Sequence, residues 1–426
     1  MARPLSSALA PPAQAPSWLA NLWRYGLTTA GPVATSGAHF LASLIFVRNL
    51  PASEFGLFSF VLVIVPFAMS MAGASLVLPI NAAMGEPAEI RARTEASCLK
   101  MNPAFAALAG LAVFAFLALT RAPLLPSLLL AGFGAALTFR WFARSFAFVQ
   151  GRAKIAIASD LAYAGTLVVG LGALQLLHRV EFLEGTGLLL LAALTGLAPF
   201  GMGFFRNQIA ALKTGRLHDY RAIFRDLTRW SLTGVILSEL TVNAQAYLVT
   251  FLSGPGPFAL LAVGQILMRP ASLVQSALPD MELPRMTKAL ASGKTDRLSR
   301  MMRDFRFVLI AIWLATVALA AAILAFAPEL LLKKGYPLGD IVLVTGITAA
   351  IMLVRCFRAP PATFLQAAGR FKALAGIGLH TGPISLCLTL AFLLAMGPIA
   401  SLLGILTGEI VIVWKLHRLM RDRKAS

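Results

Sequence analysis

Long apolar stretches separated by short charged connections run through almost the whole of this 426-residue sequence. A helix needs about 20 mostly apolar residues to cross the hydrocarbon core of a bilayer. Twelve stretches of about this length predict twelve transmembrane helices, whose limits are marked by glycine, proline or charged residues. The predicted spans are residues 28–48, 56–80, 102–120, 124–146, 155–177, 187–205, 230–252, 258–281, 306–327, 339–360, 373–396 and 398–415.

The amino-acid composition excludes a soluble protein. Charged residues make up 13% of the chain and hydrophobic residues 58%, whereas soluble globular proteins contain about 25% charged residues. A soluble chain of this length would form two or three domains with charged surfaces, and this sequence lacks the charge to cover them. The predicted fold class is therefore an all-α polytopic membrane protein.

Basic residues are distributed unequally between the two sides of the predicted membrane domain. An even number of spans places both termini on one side, and the segments facing that side carry 31 of the 37 Lys and Arg residues. The opposite side carries five, and Arg269 lies within a span. Because Lys and Arg accumulate in cytoplasmic segments, we expect both termini in the cytoplasm. The net charge of +19 indicates contact with anionic membrane lipids, not with nucleic acid.

The sequence contains no pattern typical of a metal site or a membrane enzyme. Cys98, Cys356 and Cys387 have no paired spacing, so we expect no disulfide, metal or other cofactor. HExxH, GxSxG and Walker-type motifs are absent from the sequence. The predicted outer loops are too short for the acceptor-binding loop of an O-antigen polymerase or ligase. We therefore expect a transporter without catalytic residues.

The two halves of the sequence contain matching segments in the same order. Three matches at corresponding points indicate an internal duplication, with two six-helix lobes related by an axis along the membrane normal and a substrate site between them. The matching pairs are 24–28 with 229–233, 51–55 with 254–258, and 151–154 with 369–372. The predicted organisation is an N-terminal cytoplasmic tail (1–23), an N-lobe (24–205), a basic cytoplasmic linker (206–229), a C-lobe (230–415) and a basic cytoplasmic tail (416–426).

The stretch Phe46-Val-Arg-Asn-Leu-Pro-Ala-Ser-Glu-Phe-Gly-Leu-Phe58 resembles the loop after the first span of polysaccharide repeat-unit flippases. These Wzx-type proteins transport O-antigen and exopolysaccharide units and belong to the multidrug/oligosaccharidyl-lipid/polysaccharide exporter superfamily. The turns at Gln150-Gly-Arg and Gln366-Ala-Ala-Gly-Arg-Phe-Lys372 are also similar to this family's. Where members often carry an aspartate in span 7, this chain has Asn243-Ala-Gln245.

The resemblance implies two lobes in a V shape around a central cavity. It implies a flippase that moves undecaprenyl-pyrophosphate-linked oligosaccharide across the bacterial inner membrane by alternating access, together with other polysaccharide assembly proteins. A proton- or cation-coupled multidrug-type antiporter of the same superfamily is the alternative. Twelve spans favour both over the related lipid II flippases, which usually have fourteen.

Arg269 is the sharpest candidate for substrate binding. Ionisable residues at membrane depth are rare and either pair with each other or bind substrate. An arginine stays charged and can donate two hydrogen bonds to a pyrophosphate, and Pro270 next to it permits a kink. Glu239, at similar depth on the preceding span, offers the alternative of an internal salt bridge.

Other polar residues within the spans have two interpretations each. Asn243, Gln245, Tyr247 and His39 are candidates for sugar or pyrophosphate contacts, or for hydrogen bonds between helices. Arg48 is a further candidate for substrate contact, or an anchor at the lipid head groups.

Carboxylates within the spans raise the possibility of proton coupling. Glu239 is a candidate because an apolar environment favours its protonated form. Glu409 is either a cavity acid or a partner for a polar group on span 11.

The remaining basic candidates are expected at the membrane surface, where they would hold lipid head groups. These residues are Arg140, Arg144, Arg152, Lys154, Arg370 and Lys372.

Overall fold

The computed structural model describes residues 18–291, 295–330 and 336–422, and in these residues every regular element is a helix. The predicted all-α fold is therefore confirmed. Parts of the predicted tails 1–23 and 416–426 fall outside the described residues.

The described residues form seventeen α-helices, several of them joined end to end within one span. The helices are α1 Trp18–Asn49, α2 Ala52–Ala72, α3 Leu78–Ala82, α4 Ala88–Leu119, α5 Leu124–Val149, α6 Ala153–Leu176, α7 Phe182–Thr195, α8 Gly201–Thr214, α9 Leu217–Ile223, α10 Arg229–Val242, α11 Ala244–Ser253, α12 Pro255–Leu267, α13 Arg269–Ala291, α14 Thr295–Phe326, α15 Leu338–Ala367, α16 Phe371–Met396 and α17 Ser401–Asp422. Two π-helical segments, Gly73–Val77 and Phe224–Thr228, connect α2 to α3 and α9 to α10.

Eight of the helical segments are long and apolar enough to cross a membrane, and a ninth is formed by α12 and α13 together. The other three predicted spans coincide with α1, with the pair α10 and α11, and with α17. Span 7 is broken into helices of 14 and 10 residues, and each is shorter than the about 20 residues that a membrane crossing needs. Span 12 carries charged residues within α17.

Local sequence explains where the helices begin and turn. α2, α4, α5 and α15 each start directly after a proline, whose fixed φ angle and missing N–H suit the start of a helix. The turns at Gly151 and Gly369 share one backbone geometry, with φ of 72° and 68°. In both, the following arginine N–H donates five residues back, Arg152 to Ala147 at 2.8 Å and Arg370 to Leu365 at 2.9 Å.

The helices pack into two groups that match the predicted lobes. In the first half α5 packs against α4 and α7, and α1 packs against α6; in the second half α15 packs against α13, α14 and α17, and α16 against α17. The principal contact between the groups is α2 against α12. The exact lobe boundaries and the internal duplication remain predictions.

Two predicted spans are broken near their middle. Span 7 breaks at Asn243, which lies outside helical geometry with φ −112° and ψ 9° between α10 and α11. Span 8 bends by 65° at Met268, between α12 and α13. Between the predicted spans 8 and 9, α13 continues to Ala291 and α14 begins at Thr295.

The two lobes meet closely at the end of the molecule opposite the termini, which we call the distal end. A Cβ atom added to Gly56 would lie 1.9 Å from the carbonyl oxygen of Pro255. Next to this point Phe60 packs edge-to-face against Tyr247, Phe251 and Phe258, with ring centroids 5.6 to 6.0 Å apart. Glycine at position 56 therefore permits the distal contact.

We predict that Gly56→Val opens the distal end, because no side chain fits between Gly56 and Pro255. Spin labels on cysteines replacing the exposed Leu125 and Leu338, with Cys387 removed, should report a longer inter-lobe distance in this variant. Gly256→Ala is the matched control, since a Cβ there meets no atom within 4 Å. An unchanged distance distribution in Gly56→Val would contradict the prediction.

Candidate functional site

A buried ion cluster joins α5 and α6 in the N-lobe. Arg140 Nη1 lies 3.0 Å from Asp160 Oδ1, and Arg144 Nε lies 2.7 Å from Asp160 Oδ2. Arg140 Nη1 also donates to Ser159 Oγ at 3.0 Å, and its guanidinium lies over the ring of Tyr163, 4.6 Å from the centroid. The Arg140 and Asp160 side chains are only 4% and 3% exposed, so no ligand can reach them in this state.

A second ion cluster joins α15 and α17 in the C-lobe. Arg355 Nε lies 2.8 Å from Glu409 Oε1, and Arg358 Nη1 lies 2.7 Å from Glu409 Oε2. Arg358 precedes Arg370 by twelve positions, as Arg140 precedes Arg152. Unlike the N-lobe cluster, this one is open, with Arg355 and Arg358 30% and 36% exposed.

Arg355 also lines a cavity of about 190 Å³ between the C-lobe helices and Val63 of α2. Arg269, which is exposed, lines the same cavity, and no acidic side chain of a described residue does. The other polar lining residues are uncharged: Asn243, Gln245, Gln265, Ser272 and Thr348. The arrangement suits a small anionic group with hydrogen-bonding substituents.

The two helix breaks place polar residues on this cavity. Arg269 is the first residue of α13, directly after the bend at Met268, and Pro270 follows it. Proline is well accommodated in the first turn of a helix. Asn243 lines the cavity from the break between α10 and α11. Interrupted helices bordering a cavity are typical of transporter binding sites.

Glu239 does not form the salt bridge with Arg269 that was the alternative to substrate binding. Its Oε1 accepts hydrogen bonds from Asn243 Nδ2 and from the Tyr247 hydroxyl, both at 2.8 Å. These three residues lie at intervals of four positions, so the two bonds to Glu239 Oε1 connect the helices on either side of the break. Among the described residues, no carboxylate is paired with Arg269.

The predicted lipid head-group role of Arg140 was wrong, because its side chain is only 4% exposed. The same role for Arg144, whose side chain is 19% exposed, stays a prediction. Arg140 is buried, and both arginines bind Asp160 because a charge in this apolar setting requires a partner. The partner predicted for Glu409 on span 11 was also wrong, since its partners Arg355 and Arg358 lie on span 10.

His39, Gln245 and Tyr247 bond to neighbouring helices or to their own span. His39 Nε2 and the Tyr163 hydroxyl share a hydrogen bond between α1 and α6. Gln245 Nε2 donates to Ser401 Oγ at 3.2 Å, and Tyr247 does not line the cavity. Contact of His39, Gln245 and Tyr247 with substrate remains a prediction.

The predicted surface arginines and Lys154 are exposed. Arg48, Arg152, Lys154 and Arg370 all have solvent-accessible side chains. The side chain of Lys372 lies outside the described residues. Contact of these residues with lipid head groups remains a prediction.

Sequence reasoning missed the arginine pair of span 10. Arg355 and Arg358 lie within the predicted span 339–360, yet neither is among the candidate residues that the sequence identified. Two signals could have identified them: the position of Arg358 in the repeat, equivalent to Arg140, and the need of Glu409 for a cation.

No protein-family model and no curated protein matches this sequence. Three solved structures show its fold. An inward-facing multidrug resistance MATE family transporter of the MOP superfamily matches with TM-score 0.67 and 13% identity, covering 94% of this chain and 99% of that one. The lipid II flippase MurJ in an inward closed conformation matches with TM-score 0.66 and 13% identity over 93% and 87%.

An outward-facing MATE family transporter matches with TM-score 0.55 and 14% identity, over 93% of this chain and 95% of that one. The chain therefore has the fold of the MOP superfamily transporters and is a multi-span membrane protein.

We predict that Asp160→Ala destabilises the folded protein by about 3–5 kcal/mol, because it leaves two arginines without their buried partner. Thermal unfolding of the purified protein in detergent measures this as a lower Tm. The control is Glu89→Ala, which removes a pair with Arg93 whose two side chains are 87% and 71% exposed and which should change Tm little. Equal Tm values for the two variants would show that the cluster does not hold α5 and α6 together.

Proposed function

We propose that this protein is a flippase that translocates lipid-linked oligosaccharide, carried on undecaprenyl pyrophosphate, across the bacterial inner membrane by alternating access. The observation that carries the proposal is the charge of the cavity. Two arginines line it without an acidic lining residue among those described. A pyrophosphate is an anion that matches such donors, whereas a cationic drug would be repelled.

The surrounding polar residues fit a glycosylated head group. Asn243, Gln265, Ser272 and Thr348 offer amide and hydroxyl groups to sugar hydroxyls near the two arginines. The similar structures include a lipid II flippase and multidrug transporters, so the fold is compatible with either substrate class. The sign of the cavity charge favours the flippase over the multidrug-type antiporter.

The proposed orientation places both termini in the cytoplasm, with the cavity supplied from that side. The uneven distribution of basic residues supports this orientation. With the lobes in contact at the distal end, the substrate would enter from the cytoplasmic leaflet. Proton coupling by Glu239 or Glu409 stays a proposal. Glu409 is already bound to two arginines. Glu239 accepts a hydrogen bond from Asn243, which lines the cavity.

A strain lacking the protein tests the function directly. We expect its lipid extract to accumulate pyrophosphate-linked oligosaccharide that an externally added glycosidase cannot reach. Accumulation of accessible units would indicate a polymerase or ligase instead. Undisturbed polymer synthesis without accumulation would favour the antiporter.

We predict that Arg269→Ala and Arg355→Ala each weaken binding of inorganic pyrophosphate to the purified protein. Loss of one charge-assisted hydrogen bond of about 1.5–3 kcal/mol corresponds to about a ten- to hundredfold higher Kd. Isothermal titration calorimetry measures the change. Arg152→Ala, which removes the same charge from an exposed turn, should leave Kd nearly unaltered, and the same loss in this control would argue against a specific site.

A further inference from the structure

We propose that a groove on the C-lobe between α14 and α15 holds the branched polyprenyl tail of the lipid whose anionic head group occupies the cavity. The inference rests on the proposed function and adds a separate binding site to it. The groove has a volume of about 370 Å³. Its lining includes Met268, Val317, Leu324 and Val342 and carries no charged side chain of a described residue.

The groove borders the cavity at the break of span 8. Met268 lines the groove, and the next residue, Arg269, lines the cavity. On α15, Thr345 and Ala349 line the groove, whereas Thr348 and Met352 line the cavity on the adjacent face. A head group bound at Arg269 therefore has the start of the groove beside it.

Methionines form the wall between the two spaces. Met268 and Met352 pack together with Ala271 and Ala349 in a small buried cluster, against which Trp313 rests. Methionine is unbranched and adapts its shape to its surroundings. A lipid chain can therefore pass at this point with side-chain movements alone.

The direction of the groove matches the orientation of a lipid in the leaflet on the terminus side. From Met268 the groove runs along α14 to Ala325, and along α15 back to Val342, near the distal end. Val317 and Ala325 are eight positions apart on α14, a distance of about 12 Å at 1.5 Å per residue. A lipid whose head group points to the terminus side directs its tail along this path.

The shape of the groove favours a branched chain over a straight acyl chain. Small residues, namely Ala320, Ala321, Ala325, Gly346 and Ala349, leave recesses along it, and a polyprenyl chain has methyl groups to fill such recesses.

The test compares three probes on the purified full-length protein in nanodiscs. Inorganic pyrophosphate reports the head-group site alone. Farnesyl pyrophosphate and dodecyl pyrophosphate have main chains of equal length, but only the first is branched and unsaturated. Partitioning into the nanodisc is common to all variants, so differences between variants report the protein site.

Gly346→Leu fills the middle of the groove, and Ala325→Leu fills its distal end. A Cβ at position 346 meets no atom within 4 Å, so the fold tolerates this change. We expect both variants to bind farnesyl pyrophosphate about tenfold more weakly, the effect of losing contact with about two CH₂ groups. Inorganic pyrophosphate should bind as it does to the unmodified protein. Ala318→Leu, exposed on α14 but outside the groove, is the matched control and should change neither.

The outcomes separate this proposal from the proposed function. Unchanged farnesyl pyrophosphate binding in both groove variants would overturn the tail site. An equal loss for dodecyl pyrophosphate would identify a groove for any acyl chain and overturn the assignment to a polyprenyl tail. Weaker inorganic pyrophosphate binding in both groove variants would exclude a separate site. If Arg269→Ala leaves pyrophosphate binding unaltered, the head-group site fails, independently of the groove.

Discussion

A charge inside a membrane requires a partner, and this constraint determines how each lobe is held together. The fourth span of each lobe, α5 in the first and α15 in the second, carries two arginines that bind one carboxylate. This carboxylate is Asp160 in the first lobe and Glu409 in the second. The two carboxylates lie on different helices, α6 and α17. An arginine at the same place in both halves therefore connects a different pair of helices in each lobe, so the halves need not have the same interior.

The difference between the two clusters gives the lobes different roles in the proposed function. The N-lobe cluster is buried, and both of its arginines bind Asp160, which connects α5 to α6. The C-lobe cluster is open, so Arg355 can bind Glu409 and still line the cavity. With Arg269 at the bend of span 8, the C-lobe supplies all the positive charge among the described lining residues. The N-lobe contributes Val63 and the aromatic contacts at the distal end.

The sequence was sufficient to predict the fold class and the approximate spans, because apolar length is a local property. It did not reveal the breaks at Asn243 and Met268. Pro270 suggested a kink, but the interruption of span 7 depends on a carboxylate, an amide and a phenol meeting across the helix axis. Arg269 was identified because an isolated charge is conspicuous in an apolar stretch. Arg355 and Arg358 were not, because charges near the end of a span resemble interfacial anchors until the three-dimensional partner is known.

Release of the substrate places a further demand on the cavity, since a site that only binds would trap its ligand. Glu409 meets this demand through its position. It holds Arg355 and Arg358 when the cavity is empty, so an incoming anion must compete with an internal carboxylate for the same donors. The carboxylate can bind the arginines again when the anion leaves, and in the empty state it is paired with both of them. In the proposed function, Arg269, with no carboxylate partner among the described residues, would attract the anion, and the Arg355–Glu409 pair would limit how tightly it is held.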